Sequence, residues 1–227
     1  MKQINKIPEP QSLVQHRANQ HAFYHNLPLT TMSDIRVNLL SEQGHICCYC
    51  MKRIPQKIEK DGTVSYEMKV EHYKCQDNYP ALQLNYSNLL GACTGNEGNP
   101  KKLQTCDTKK GKTDITINPI SVVPNCERQI KYLSNGEIHS EDPIIDKELN
   151  DVLNLNMQTL VDGRREVFET VQKKVEYEGK KYNDKNIKVK YFEKELIWWL
   201  SLDDGKLKPF CMVAVYYLLK KLRQNQN

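Results

Sequence analysis

Four cysteines are the residues of this chain best suited to hold a metal ion. Cys47 and Cys50 form a Cys-x-x-Cys knuckle, and Cys93 and Cys106 can supply the other half of a tetrahedral site. Zn²⁺ prefers four such soft ligands in sites that stabilise a small fold. We therefore predict one structural zinc ion held by these four thiolates. The second pair is far apart in the sequence, so Cys48 is kept as an alternative ligand.

Polar residues that can take part in hydrolysis lie between and beside these cysteines. Glu71 and His72 are adjacent, Asn88 follows, Asp107 comes directly after Cys106, and Lys110 lies three residues later. Residues three apart share a face of a helix. A single histidine at a strand end is usually structural, but this order favours a phosphodiester-cleaving site. A neutral imidazole is a suitable base near pH 7, and a divalent ion can neutralise the charge that develops on a phosphate.

The elements that must position these residues are short. Residues 63–70 alternate between polar and apolar types and predict a strand that ends at Glu71 and His72. Residues 89–92 predict a second strand, and Thr105 can cap a helix that starts at Cys106. Residues 94–105 contain glycine, proline and lysine and predict an exposed insertion.

The remaining segments predict a mainly helical surround. Thr31 or Ser33 can cap a helix that runs to about Gln43, and Asn135-Gly136 predicts a tight hairpin turn. An edge strand is expected over 115–120. Helices are predicted over 147–155, 157–177, 187–202 and 209–223.

The order of the motifs resembles that of the HNH, or ββα-metal, endonucleases. The resemblance implies an α+β fold with a zinc-stapled ββα-metal core, an N-terminal helical arm and a C-terminal helical region. It implies that His72 is the general base, that Glu71 and Asp107 bind a catalytic Mg²⁺ or Mn²⁺, that Asn88 orients the histidine, and that Lys110 contacts phosphate. The usual residues at positions 71 and 107 of this pattern are Asp and His, so the catalytic metal preference is left open.

A narrower resemblance covers most of the chain. The chain is similar to the Septu- and retron-associated HNH endonucleases of the PtuB type. The similarity is carried by the segments 1–4, 10–13, 47–50, 70–73, 88–93 and 106–111. This resemblance implies a bacterial anti-phage effector in a hetero-oligomer with an ABC-type ATPase (PtuA-like). In retron systems it also implies a reverse transcriptase and its multicopy DNA. The implied substrate is nucleic acid, with DNA preferred over tRNA or another RNA.

These observations divide the chain into an arm and helix at 1–44, a nuclease core at 45–118, and a hairpin with a helical partner-docking region at 119–227. The chain carries 33 lysine and arginine residues against 28 aspartate and glutamate, a formal charge of +5 that permits nucleic-acid binding without demonstrating it.

We expect no signal peptide and no membrane span, hence a cytoplasmic protein with reduced thiols. Two alternatives remain: a non-catalytic zinc module that binds nucleic acid or protein, and a thiol oxidoreductase.

Overall fold

Three short antiparallel hairpins and a set of helices make up the chain, which the computed structural model describes over residues 1–181 and 184–226. The hairpins pair β1 (Gln56–Ile58) with β2 (Val64–Tyr66), β3 (Met68–His72) with β4 (Leu89–Cys93), and β5 (Lys131–Tyr132) with β6 (Ile138–His139). The α-helices are α1 (Gln11–Arg17), α2 (Leu29–Gln43), α3 (Cys106–Lys110), α4 (Cys126–Gln129), α5 (Pro143–Lys147), α6 (Gln158–Lys181), α7 (Lys185–Leu200) and α8 (Cys211–Gln226). The α+β class that the sequence predicts is confirmed. Among the described residues, none of the helices combines the length and the apolar composition that a membrane-spanning segment requires.

The β3–β4 hairpin and helix α3 carry the candidate site. Strand β3 ends at His72, as predicted, and pairs Glu71 with Leu90 and His72 with Leu89. The strand predicted over 63–70 is in fact two strands, because the chain passes from the β1–β2 hairpin into β3 at Glu67, whose amide donates to the carbonyl of Pro55. The predicted start of α3 at Cys106 is confirmed.

Several predicted helix starts and caps are wrong. Helix α2 begins at Leu29, directly after Pro28, and not after Thr31 or Ser33. Thr105 precedes α3, but its side chain makes no capping hydrogen bond. Helix α8 begins at Cys211, two residues after the predicted proline start. Thr31 is the third residue of α2 and is buried, and Thr105 is buried beside Cys106, so neither threonine caps its helix as predicted.

The edge strand predicted over 115–120 is absent from the described chain. The backbone amides of Thr116 and Ile117 donate to the carboxylate of Glu148, at 2.7 and 3.1 Å, instead of to a neighbouring strand. Ile115 and Ile117 are buried in the core. Glu148 belongs to a π-helical turn, Glu148–Val152, which continues α5 and replaces part of the helix predicted over 147–155.

One hydrophobic core connects the cysteine knuckle to the C-terminal helices. Cys47 and Cys50 belong to the same buried cluster as Phe192 of α7 and Val213 of α8. The backbone is tied at the same place, since the amide of Phe210 donates to the carbonyl of Met51 at 3.1 Å. The helical region therefore holds the knuckle in place as part of one packed unit.

Candidate active site

Four cysteine side chains meet where the sequence places the structural metal site. The Sγ atoms of Cys47, Cys50, Cys93 and Cys106 lie within 4.8 Å of one another, and none of these residues forms a disulfide. Three of the sulfur–sulfur distances are 3.8, 3.8 and 3.7 Å. A tetrahedron with metal–sulfur bonds of about 2.3 Å has edges of about 3.8 Å, so the spacing fits a closed four-thiolate metal site. Cys48 is buried but is not part of this cluster.

A buried glutamine joins the knuckle to strand β4. The side-chain amide of Gln43 donates to the carbonyls of Ile46 and Gly91, at 2.9 and 2.8 Å, and its oxygen accepts from the amide of Gly91 at 2.7 Å. The amide of Cys48 also donates to the carbonyl of Gly91 at 3.0 Å. A side chain at position 91 would start 3.1 Å from the Gln43 nitrogen and 3.2 Å from the Met68 methyl group, so these neighbours would have to shift. The knuckle and β4 are thus held at a fixed separation.

Helix α3 starts from an unusual backbone conformation that is anchored from outside the helix. Cys106 has φ of +54°, in the left-handed region that a non-glycine residue adopts at a cost of roughly 1–3 kcal/mol. Its amide donates to the carbonyl of Leu153 at 2.9 Å. This anchor aims the Cys106 sulfur at the other cysteines and directs the following turn, with Asp107 and Lys110, toward strand β3.

Two carboxylates and a buried ammonium group meet between β3 and α3. Glu71 is 2% exposed, and its Oε1 lies 2.9 Å from Nζ of Lys110 and accepts from the hydroxyl of Tyr49 at 2.7 Å. Burial raises the pKa of Glu71 well above its ordinary value, and so do the hydrogen bond that a protonated Glu71 donates to Asp107 and the Asp107 charge, although Lys110 opposes this. Asp107 is partly exposed and lies 3.4 Å from Nζ of Lys69. Two acidic groups this close favour a shared proton or a cation between them.

Lys110 does not face solvent. Its side chain is fully buried, and besides Glu71 its ammonium group donates to the backbone carbonyl of His72 at 3.3 Å. The contact with phosphate that the family resemblance implies for this lysine is therefore not available in this arrangement. Lys110 instead links α3 to the end of β3.

The imidazole of His72 is hydrogen-bonded through both nitrogens. Nε2 lies 2.9 Å from the carbonyl of Gln83, which can only accept, so Nε2 carries the hydrogen and Nδ1 carries the lone pair. The side-chain amide of Gln76 lies 3.2 Å from Nδ1, and the ring edge packs on Tyr24 with centroids 4.5 Å apart. Burial lowers the pKa of His72, against the Gln83 carbonyl and the Asp107 charge. Nδ1 is thus the nitrogen that could accept a proton, but the side-chain amide of Gln76 lies against it.

Asn88 closes the loop that carries both partners of His72. Its Oδ1 accepts from the amide of Lys74 at 2.8 Å, and its Nδ2 donates to the carbonyls of Lys74 and Leu82, at 2.9 and 3.2 Å. The residue is 6% exposed. These bonds hold both ends of the loop against β4 and so fix the carbonyl of Gln83 beside the imidazole.

Three residues at the site have no role in the sequence-based prediction. Tyr49 and Lys69 contact the two carboxylates, and Gln76 contacts His72. Lys69 could have been found, because it precedes Glu71 by two residues and side chains two apart share a face of a strand. Tyr49 lies inside the knuckle and Gln76 lies in an irregular loop, and neither position has a periodic signal.

No family model matches the chain. A curated relative is the Septu protein PtuB of Bacillus thuringiensis, which is 32% identical over 152 residues that cover 63% of this chain and 51% of the relative. The chain thus spans about half the length of the curated relative that it matches. It is similar to PtuB over most of its own residues.

Proposed function

We propose that this chain is a metal-dependent HNH endonuclease that cleaves nucleic acid as the effector of an anti-phage defence system. The observation that carries the proposal is the contact between Glu71 of β3 and Asp107 of α3, with His72 as the next residue of β3, beside a cluster of four cysteines. The similarity to a Septu protein supports the biological setting. A site of this composition suits hydrolysis of a phosphodiester, in which an anionic group must be neutralised while water is deprotonated.

The four-cysteine site suits a structural Zn²⁺. Its ligands are all thiols, its sulfur spacing matches a tetrahedral zinc site, and three of the four cysteines are fully enclosed. Hydrogen bonds from the neighbouring cysteines, Cys106 foremost, outweigh burial and lower the pKa of the Cys47 thiol well below its usual range. A lowered pKa favours the thiolate, which is the form of cysteine that binds a metal ion.

Glu71 and Asp107 are the residues that would hold the catalytic ion. Their oxygen ligands suit Mg²⁺ or Mn²⁺. The elevated pKa of Glu71 has its largest cause in burial and its next in Asp107, so it marks a pair of carboxyl groups that a divalent cation would satisfy. Such an ion would supply charge neutralisation at the scissile phosphate.

His72 acts as the general base through Nδ1. The Gln83 carbonyl holds Nε2–H, so the ring keeps one tautomer while water approaches the other nitrogen. For water to reach Nδ1, the Gln76 amide must move away, because it now lies 3.2 Å from that nitrogen. The arrangement of the isolated chain is accordingly a resting one.

The two lysines have different roles in this proposal. Lys110 is a positioning residue that holds the Glu71 carboxylate and the end of β3. Lys69 is the cation that contacts the phosphate, because its side chain is 31% exposed and lies 3.4 Å from Asp107. We therefore assign the phosphate contact to Lys69 of β3 instead of Lys110 of α3.

The proposed partners follow from the same relationship. We place the chain in a cytoplasmic hetero-oligomer with an ABC-type ATPase (PtuA-like), and in a retron setting with a reverse transcriptase and its multicopy DNA. The second candidate function is a non-catalytic zinc module, which the buried and occupied state of His72 favours. A thiol oxidoreductase has little support, because both cysteines of the Cys-x-x-Cys knuckle belong to the metal cluster.

A plasmid-nicking assay with Mg²⁺ or Mn²⁺, run on the chain copurified with its ATPase, tests the proposal. His72→Ala should lower the rate by on the order of a hundredfold or more, because a general base is lost. His21→Ala is the matched control, since the side chain of this exposed histidine makes no hydrogen bond in the described structure. Parallel assays on total RNA decide between DNA and RNA. A wild-type complex that binds zinc but cuts neither substrate would favour the non-catalytic module.

A further inference from the structure

A groove runs along helix α8 on a face that the proposed nuclease site does not use. It has a volume of about 780 Å³ and lies between α8 and the segment that joins α4 to β5. Ile130 and Met212 form a buried apolar floor, and Tyr216 and Leu219 line it from α8, with Leu219 40% exposed. Leu219 and the half-buried Tyr216 therefore offer apolar surface that a partner could cover.

The rim of this groove is basic. Arg128, Lys220 and Arg223 are exposed and form no ion pair with any residue in the described ranges. The acidic residue on the rim is Glu127, and its carboxylate already accepts from the amide of Gln3 at 2.9 Å. The positive charge on the rim is thus largely uncompensated, which favours an acidic partner.

The groove continues past Tyr216 and Lys220 into a second hollow of about 550 Å³. Leu133, Phe168 and Lys221 help to line it, so the combination of apolar floor and basic edge is repeated. From Met212 to Gln224 the two hollows follow about 18 Å of helix at 1.5 Å per residue. That length accommodates about three turns of a partner helix.

We propose that this groove binds an acidic amphipathic helix of the ATPase partner. The inference rests on the partner named in the proposed function. An apolar helix face would cover the floor, and its acidic edge would pair with the rim, as in other helix-in-groove complexes. A nucleic-acid strand fits less well, because it needs free aromatic faces for stacking. Here Tyr132 packs edge-on against Tyr216, with centroids 5.8 Å apart.

The test compares two double charge reversals that change the net charge equally. Lys220→Glu/Arg223→Glu alters the groove rim, and Lys185→Glu/Lys190→Glu alters exposed lysines of α7 outside the groove. Each protein is coexpressed with the ATPase, and the affinity is measured by biolayer interferometry. We expect the rim variant to lose at least tenfold in affinity and the α7 variant to retain wild-type affinity. Fluorescence anisotropy with a 20-nucleotide single strand and its duplex should give equal values for the two variants.

A photo-crosslinking residue at Leu219 adds a chemical identification. We expect the crosslinked ATPase peptide to be net acidic with apolar residues at helical spacing, and a neutral or basic peptide would contradict the proposal. Equal loss of ATPase binding in both double variants, or selective loss of nucleic-acid binding in the rim variant, would also overturn it. If the wild-type chain does not bind the ATPase, the partnership itself fails. If it binds and the rim variant binds equally well, only the groove assignment fails.

Discussion

Replacing Asn88 with alanine removes three hydrogen bonds from a residue that is 6% exposed. Each buried backbone group that loses its partner costs about 1–3 kcal/mol, and some of these groups would regain water when the loop loosens. We therefore expect the free energy of unfolding to fall by about 2–4 kcal/mol. Because the same loop carries the Gln83 carbonyl that holds His72, the nicking rate should fall between those of wild type and His72→Ala.

Urea unfolding followed by circular dichroism measures the stability, and plasmid nicking measures the rate. Asn78→Ala is the control, because Asn78 is exposed and donates one hydrogen bond of 3.3 Å to the carbonyl of Lys112. This control should change stability by less than about 0.5 kcal/mol. If Asn88→Ala were as stable as the control and cut plasmid at the wild-type rate, Asn88 would not be the clamp on the His72 loop.

Three further outcomes follow from contacts at the site. Gln76→Ala should raise the nicking rate severalfold by freeing the basic nitrogen of the imidazole, and an unchanged or lower rate would show that this amide does not block water. Lys110→Met removes the buried ammonium group that Glu71 contacts, so a loss of about 3–5 kcal/mol in unfolding free energy is expected. A loss below about 1 kcal/mol by urea titration would contradict the buried pair. Cys93→Ser should lower bound zinc, measured by atomic absorption, well below one equivalent and destabilise the fold. Cys75→Ser, outside the cluster, should retain the metal.

The parts of the site that local patterns determine could be predicted from the sequence. Alternation of side chains located the end of β3 at His72, and the position of Cys106 located the start of α3. Metal-ligand chemistry selected four cysteines that the fold brings within 4.8 Å. In these cases the signal lies in residue type and spacing, which do not depend on distant segments.

Long-range contacts determine the parts that could not be predicted. The apolar pattern of 115–120 resembles a strand, but the Glu148 carboxylate, about thirty residues away, takes the backbone hydrogen bonds that a strand would use. Lysine is usually exposed, and nothing in the segment around Lys110 indicated that its side chain would be buried against Glu71. The occupation of His72 by Gln76 depends on a loop that Asn88 closes from β4.

The two metal functions proposed for this chain meet in helix α3. Cys106 belongs to the four-cysteine cluster, and the next residue, Asp107, is a proposed ligand of the catalytic ion. A helix of five residues is not stable by itself, because helix nucleation is costly. Its position comes from the anchor to Leu153 and the buried pair between Lys110 and Glu71. A metal ion bound at Cys106 would add a third anchor, and would so help to fix the distance between the carboxylates of α3 and β3 in the proposed catalytic site without taking part in its chemistry.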